Sequence, residues 1–390
     1  MRTHSLELAD IVKTYGVSYK KQYRLPRHQL RVLSAIERCR TSRLGGHVDR
    51  CDDCGHERIS YNSCRNRHCP KCGALAKEKW IQSRQRDLLP VPYFHIVFTL
   101  PDELNAITLY NQRLMYTMLF RAASETLLCL GRDPKHLGGE IGLISVLHTW
   151  GQNLMNHPHL HCIVPGGALS PDGKKWIGSQ KKFFISVHIL SKVFRGKFLA
   201  SLKSAYQQKK LQLEGALEPL RNKNIFQAII TSLYEKGWVV YAKQPFGGPE
   251  QVLAYLGRYT HRVALTNNRL VSMSDGKVSF HWKDYRDHNK EKLMTLDVFE
   301  FLRRFLLHVL PERLCKIRYY GFLSNRHRID QLGKCKELLD VPVVLKQIEK
   351  KTWEELFLEL TGVDIRICPA CHKGKMRSYH VLEPVQNAPP

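Results

Sequence analysis

Acidic residues are scarce in this sequence, and a long apolar run is missing altogether. Against 61 Lys and Arg stand only 35 Asp and Glu, giving a formal net charge of +26. Such an excess draws a polyanion partner, and nucleic acid is the commonest one. A membrane surface is disfavoured, because no apolar stretch approaches about 18 residues and no polybasic cluster adjoins one. Met1 to Tyr23 lack the apolar core of a signal peptide, so a cytoplasmic location is expected. No internal repeat and no long low-complexity stretch interrupts the chain. At 390 residues, 43% hydrophobic and 25% charged, it has room for two or three domains and at least one substantial core.

The twelve cysteines are not spaced like a secreted disulfide framework. Cys51, Cys54, Cys64, Cys69 and Cys72 are bunched, Cys368 and Cys371 form a late pair, and Cys39, Cys129, Cys162, Cys315 and Cys335 are scattered. Paired Cys-x-x-Cys in a cytosolic chain reads as metal binding. Cys51, Cys54, Cys69 and Cys72 have the spacing of a structural four-thiolate zinc site, since each short turn converges two sulfurs on one ion. Cys64, His47, His56 and His68 are surplus, which leaves room for a permuted ligand set or a second ion. Cys368 and Cys371 supply only two ligands, with no second pair near them in sequence. Arg65, Arg67 and Lys71 surround the knuckle and are expected on a face that meets DNA phosphates, with Arg58 and Lys77 beside them.

Along the chain, strands are expected at Tyr93–Leu100, Ile141–Trp150, Leu160–Val164, Trp238–Ala242, Leu270–Ser274, Val278–Tyr285 and Lys316–Phe322. Helical periodicity marks 27–40, 74–88, 102–130, 250–262, 297–309 and the stretch around 337–360. Strands and helices are interspersed without strict βαβ alternation, so an α+β fold is expected. Pro90 and Pro92 suggest a boundary, dividing the chain into 1–89, 90–325 and a helical tail 326–390 with a lone Cys-x-x-Cys. Between Gly173 and Leu213 there are ten Lys and Arg and no acid, which reads as a basic helix. Its Lys203, Lys209 and Lys210 are candidate DNA contacts.

Two segments carry possible chemistry. In Asn156-His157-Pro158-His159-Leu160-His161, a strand points His159 and His161 to one side while Leu160 anchors the other. Two imidazoles leave a metal site incomplete. Gln152 is the first choice for the third ligand, then His148, then His157. In Tyr255-Leu256-Gly257-Arg258-Tyr259-Thr260-His261-Arg262, two phenols share one helix face. Arg258 and Arg262 add charge suited to a phosphodiester. Spacing alone favours core packing, and Tyr15, Tyr19 and Tyr23 repeat it. A tyrosine that attacks phosphate needs a divalent ion and a cationic frame, and the two segments together supply both.

With these motifs the sequence resembles the two-tyrosine HUH transposases of rolling-circle insertion sequences. The likeness rests on four segments in the family's order: CDDCGHERISYNSCRNRHCPKC (51–72), HTWGQNLMNHPHLHCIVPGG (148–167), YLGRYTHR (255–262) and FLRRFLLHVLPERLCKIRYYGF (301–322). The resemblance implies that His159 and His161 hold Mg²⁺ or Mn²⁺ and that Tyr255 and Tyr259 are nucleophiles. It further implies an antiparallel sheet flanked by helices, preceded by a Zn²⁺ domain that helps to recognise element ends. The implied chemistry nicks and rejoins single-stranded DNA through a 5′-phosphotyrosine and frees a 3′-hydroxyl. A replication initiator or relaxase would use the same chemistry; a zinc-finger DNA binder without catalysis is the other alternative.

Overall fold

The computed structural model describes residues 5–179, 185–243, 251–252, 255, 257, 263–285, 287–341 and 351–385. Its largest sheet has five antiparallel strands. These are β3 (Tyr93–Thr99), β4 (Gly142–Trp150), β5 (Asn156–Pro165), β8 (Val240–Lys243) and β12 (Ile317–Gly321), in the order β12-β4-β5-β3-β8. Strands β4 and β5 are buried along most of their length because both faces of the sheet are covered. On one face Phe98, Leu147, Leu160 and Cys162 pack with Leu119 and Phe194, from the helices Gln112–Arg132 and Val187–Gln207. On the other, Tyr93, Val146 and Ile163 pack with Val252, Phe322 and Leu332.

The helix expected over 102–130 is divided at Asn111, between helices Asn105–Tyr110 and Gln112–Arg132. The Asn111 amide donates to the carbonyls of Ile107 and Gln212 and accepts from the Gln212 N–H at 2.7 Å, so it leaves the helical path to hold a distant loop. The expected helix over 250–262 falls mostly outside the described residues; Gln251, Val252, Tyr255 and Gly257 have helical backbone.

Strands β9 (Leu270–Ser274), β10 (Lys277–Asp284) and β11 (Lys290–Asp297) make a second antiparallel sheet. Asp275 and Gly276, with φ of 49° and 69°, form the two-residue turn between β9 and β10 that the Ser-Asp-Gly signal predicts. Strand β11 is not among the strands expected from the sequence. Phe280 and Leu270 of this sheet share a core with Leu8, Ile11, Leu33 and Ile36 of helices Leu8–Gln22 and Arg27–Arg38, and with Phe301 and Phe305 of helix Val298–Leu307. Residues 1–89 therefore do not enclose a core of their own.

A short pair, β6 (Gly167–Leu169) and β7 (Trp176–Gly178), extends the turn after β5. The remaining sheet joins the two ends of the chain. Strand β1 (Gly46–Cys51) lies between β2 (Glu57–Tyr61) and β13 (Met376–Leu382), with Cys51 opposite Met376. The segment expected as a tail, 326–390, contributes to this sheet and to the core. Its last strand completes the amino-terminal sheet, and Leu332 and Cys335 of its helix Arg328–Leu338 enter the core beside the central sheet. No helix among the described residues is long and apolar enough to cross a membrane.

Candidate catalytic and metal centres

Strand pairing assembles a histidine cluster. His148 on β4 lies directly opposite His159 on β5, and Val146 lies opposite His161, so the period of two brings all three imidazoles to one face. One ring nitrogen from each of His148, His159 and His161 falls within 4.8 Å of the others. His148 and His161 are buried, and His148 stacks on Trp150 at 4.8 Å between centroids.

From sequence, Gln152 is the first choice for the third ligand. It sits on the turn between β4 and β5, where its amide donates to the Tyr285 hydroxyl at 2.8 Å. His148, the second choice, is the cross-strand partner of His159 and projects onto the same sheet face. His157 contributes its carbonyl, 2.6 Å from Nδ1 of His159.

The residue that sequence reading missed is His95, buried in β3 within the apolar run YFHIVFTL. Val97 pairs with His161, so His95, two positions back, shares that face. Its Nε2 is 2.8 Å from Nδ1 of His161, and its Nδ1 is 2.7 Å from the Tyr255 hydroxyl. Burial, aided by Lys243, pushes the His95 imidazole down to about 4, which keeps it neutral near pH 7. A histidine flanked by apolar residues in a buried strand was the available signal, since such groups are costly to keep without a task or a partner.

Each of these contacts bears on which nitrogen faces a cation. With Nδ1 of His159 donating to a carbonyl and Nδ1 of His161 facing His95, ligation of a metal by these rings would run through Nε2. The donor set thus fits a divalent ion of imidazole preference. Ligation of His161 through Nε2 makes its Nδ1 a donor to His95 Nε2. His95 must then carry its proton on Nδ1, aimed at the Tyr255 oxygen.

Around this centre, His308 locks the β4–β5 turn. It is fully buried, with Nδ1 3.2 Å from the Thr149 hydroxyl and Nε2 3.0 Å from the Leu154 carbonyl. Tyr259, Arg258 and Arg262 lie outside the described residues.

The cysteines do not group as the spacing suggests. Cys51, Cys54, Cys69 and Cys72 fall into two clusters, Cys39-Cys64-Cys69-Cys72 and Cys51-Cys54-Cys368-Cys371. In the first, Cys39 follows helix Arg27–Arg38 and Cys72 precedes helix Gly73–Gln85, with their sulfurs 3.5 Å apart and Cys64 3.7 Å from Cys72. Thiol hydrogen bonds, from Cys64 foremost, bring Cys39 down to about 7, which favours the thiolate that metals bind. The β1–β2 hairpin carries Cys51 and Cys54 to the other cluster.

Two of the expected DNA contacts near the knuckle are engaged internally. The Arg67 guanidinium donates to the Leu314 carbonyl at 2.8 Å, and Lys71 pairs with Glu7 at 2.5 Å. Arg65 is exposed. Lys203 lies 5.0 Å from the Tyr234 ring centroid, while Lys209 and Lys210 are exposed just past the end of helix Val187–Gln207.

Comparison with known proteins accords with this geometry. Residues 142–330, which include the histidine strands and Tyr255, match a family described as "Putative transposase", and residues 11–100 match a "Transposase zinc-binding domain". A Sinorhizobium fredii protein named "Putative transposase y4qJ" is 52% identical over 386 residues, 98% of this chain and 97% of its own length. The transposase for insertion sequence element IS801 of Pseudomonas savastanoi is 29% identical over 307 residues, covering 77% of this chain and 72% of its own. No solved structure matches. The chain belongs to this insertion-sequence transposase family, whose members act on DNA, and carries the family's zinc-binding domain at its amino-terminal side.

Proposed function

We propose that this transposase nicks and rejoins single-stranded DNA at the ends of its element through tyrosine–phosphate intermediates, in rolling-circle transposition. The observation that carries the reading is the continuous hydrogen-bonded line from Tyr255 through His95 to His161, ending at the three-imidazole cluster. Nothing in core packing asks for a phenol to end such a line.

In this reading the Tyr255 hydroxyl gives up its proton to water and the phenolate oxygen attacks the scissile phosphorus. A 5′-phosphotyrosine bond forms, the bond to the 3′-oxygen breaks, and that oxygen leaves as a 3′-hydroxyl after taking up a proton. The His95 Nδ1–H points at the Tyr255 oxygen and favours its phenolate, lowering the cost of ionising a group whose ordinary pKa is near 10. His148, His159 and His161 would hold Mn²⁺ or Mg²⁺, with three imidazoles favouring Mn²⁺; the ion supplies polarisation of the phosphoryl oxygens. Tyr259, four residues on in sequence, is the second nucleophile, needed because an esterified Tyr255 cannot attack again until released. Arg258 and Arg262 frame the phosphate, and Arg65, Lys209 and Lys210 belong to the surface that follows the strand. A cytoplasmic location, where thiols stay reduced, fits the cysteine clusters.

The test is incubation of the protein with a labelled single-stranded end oligonucleotide and Mn²⁺, followed by denaturing electrophoresis and peptide mapping. A covalent adduct on Tyr255 or Tyr259 is expected. Absence of any metal-dependent adduct would return the chain to DNA binding without tyrosine chemistry.

A further inference from the structure

We propose that Cys51, Cys54, Cys368 and Cys371 bind a second zinc ion, separate from that of Cys39, Cys64, Cys69 and Cys72, and that this ion fastens the two ends of the chain together. The sulfur separations carry the assignment. Cys51 and Cys371 are 3.8 Å apart and Cys54 and Cys368 are 3.7 Å apart. A disulfide would need about 2.05 Å. Four thiolates at about 2.3 Å from a tetrahedral zinc lie about 3.8 Å from one another.

The surroundings are built for thiolate charge. Main-chain N–H groups of Asp53 and Cys54 point at the Cys51 sulfur at 3.4 and 3.5 Å. Those of Ala370 and Gly374 point at Cys368 and Cys371 at 3.4 and 3.3 Å. Each Cys-x-x-Cys is thus a turn whose amides face the metal position, and the two turns face each other. Gly374 is required by this approach, because a Cβ there would lie 2.4 Å from the Cys51 sulfur.

A second observation is independent of the sulfurs. Strand β13 pairs with β1 up to Cys51 opposite Met376, and Asp52 exchanges hydrogen bonds with Lys375, its N–H donating to the Lys375 carbonyl and its carboxylate accepting the Lys375 N–H at 2.7 Å. The pairing delivers Cys368 and Cys371 to the hairpin, so the ligands of one ion come from positions 314 and 320 residues apart. Cys368 and Cys371 lie beyond residues 11–100, which match the zinc-binding domain. The site cannot be completed until residues 368–371 have been made, so the hairpin that carries Cys51 and Cys54 matures only after them.

The test counts zinc by native mass spectrometry of the full-length protein, beside a Cys368→Ser/Cys371→Ser variant and a Cys69→Ser/Cys72→Ser variant. Each variant is expected to lose one zinc relative to wild type, and cobalt-loaded wild type to show about twice the sulfur-to-cobalt charge-transfer intensity of either. Amide exchange in the Cys368→Ser/Cys371→Ser protein should quicken across 376–382 and stay slow across 142–165. Should that variant fold poorly, displacement of zinc from wild type by a thiol-reactive mercurial replaces it, with two equivalents expected from thiolate sites. Unchanged zinc content in the Cys368→Ser/Cys371→Ser protein, or a single thiolate-bound equivalent in wild type, overturns the proposal.

Discussion

The Tyr255 hydroxyl lies 2.7 Å from Nδ1 of His95, a residue 160 positions earlier in the chain. Their rings meet at 66° with centroids 4.9 Å apart, so the contact runs edge-on through the polar atoms. A side chain on the central sheet thereby fixes the direction of a phenol carried by a different segment.

If that contact orients the nucleophile, His95→Ala should slow nicking at saturating Mn²⁺ by about 100-fold, the lower end of what losing one donor to a charged oxygen costs, and weaken Mn²⁺ binding by about 10- to 100-fold, as for any group that supports a ligand. His95→Asn keeps a donor near the Nδ1 position and should recover part of the rate. Single Tyr255→Phe and Tyr259→Phe changes should each leave some nicking and the double change none. Equal rates for the Ala and wild-type proteins at position 95 would reduce His95 to packing.

The cation set can be tested by binding alone. Removing a partner that merely supports a ligand weakens metal binding about 10- to 100-fold, and removing a ligand should cost more. His148→Ala and His161→Ala are therefore expected to lose Mn²⁺ affinity by about 100-fold or more in calorimetric titration. Gln152→Ala should bind as wild type, because its amide serves Tyr285. Loss of affinity in the Gln152→Ala protein with none in His148→Ala would reverse the assignment.

His308 predicts a pH dependence of stability. Full burial pushes its pKa down to about 4, so the folded state keeps it neutral where the unfolded chain already takes up a proton. Its contribution is complete above about pH 6.5 and declines as the pH falls towards about 4, by about 3 kcal/mol in total. Urea unfolding at pH 7 and pH 5 should show a smaller acid loss for His308→Gln than for wild type. Identical losses would mean that His308 does not titrate differently on folding.

Lys209 and Lys210 are exposed just past the end of helix Val187–Gln207, so their role can be read from salt. Each phosphate contact on a single strand contributes about 0.7 to the slope of log affinity against log salt. The Lys209→Gln/Lys210→Gln protein should show a slope shallower by about 1.4 on end oligonucleotides. An unaltered slope would leave these lysines as solvated surface.

Local pattern was enough for much of the plan. Apolar stretches placed β3, β4 and β12 to within a residue or two, and Asp275-Gly276 gave the β9–β10 turn, because strand burial and turn dihedrals depend on adjacent residues. His159 and His161 were legible for the same reason, a period of two being intrinsic to any strand. The sharing of one site by His148, His161, His95 and Tyr255 was not, since β4, β5 and β3 could pair in other registers and each shift by one residue turns a side chain to the opposite face. Cysteine spacing showed that metal-binding turns exist and could not show which turns meet: Cys51 and Cys54 close on Cys368 and Cys371, while nearer Cys69 and Cys72 close on Cys39 and Cys64. The sequence by itself determined which residues can ligate, ionise or pack; strand pairing between distant segments alone decided which of them stand within reach of one another.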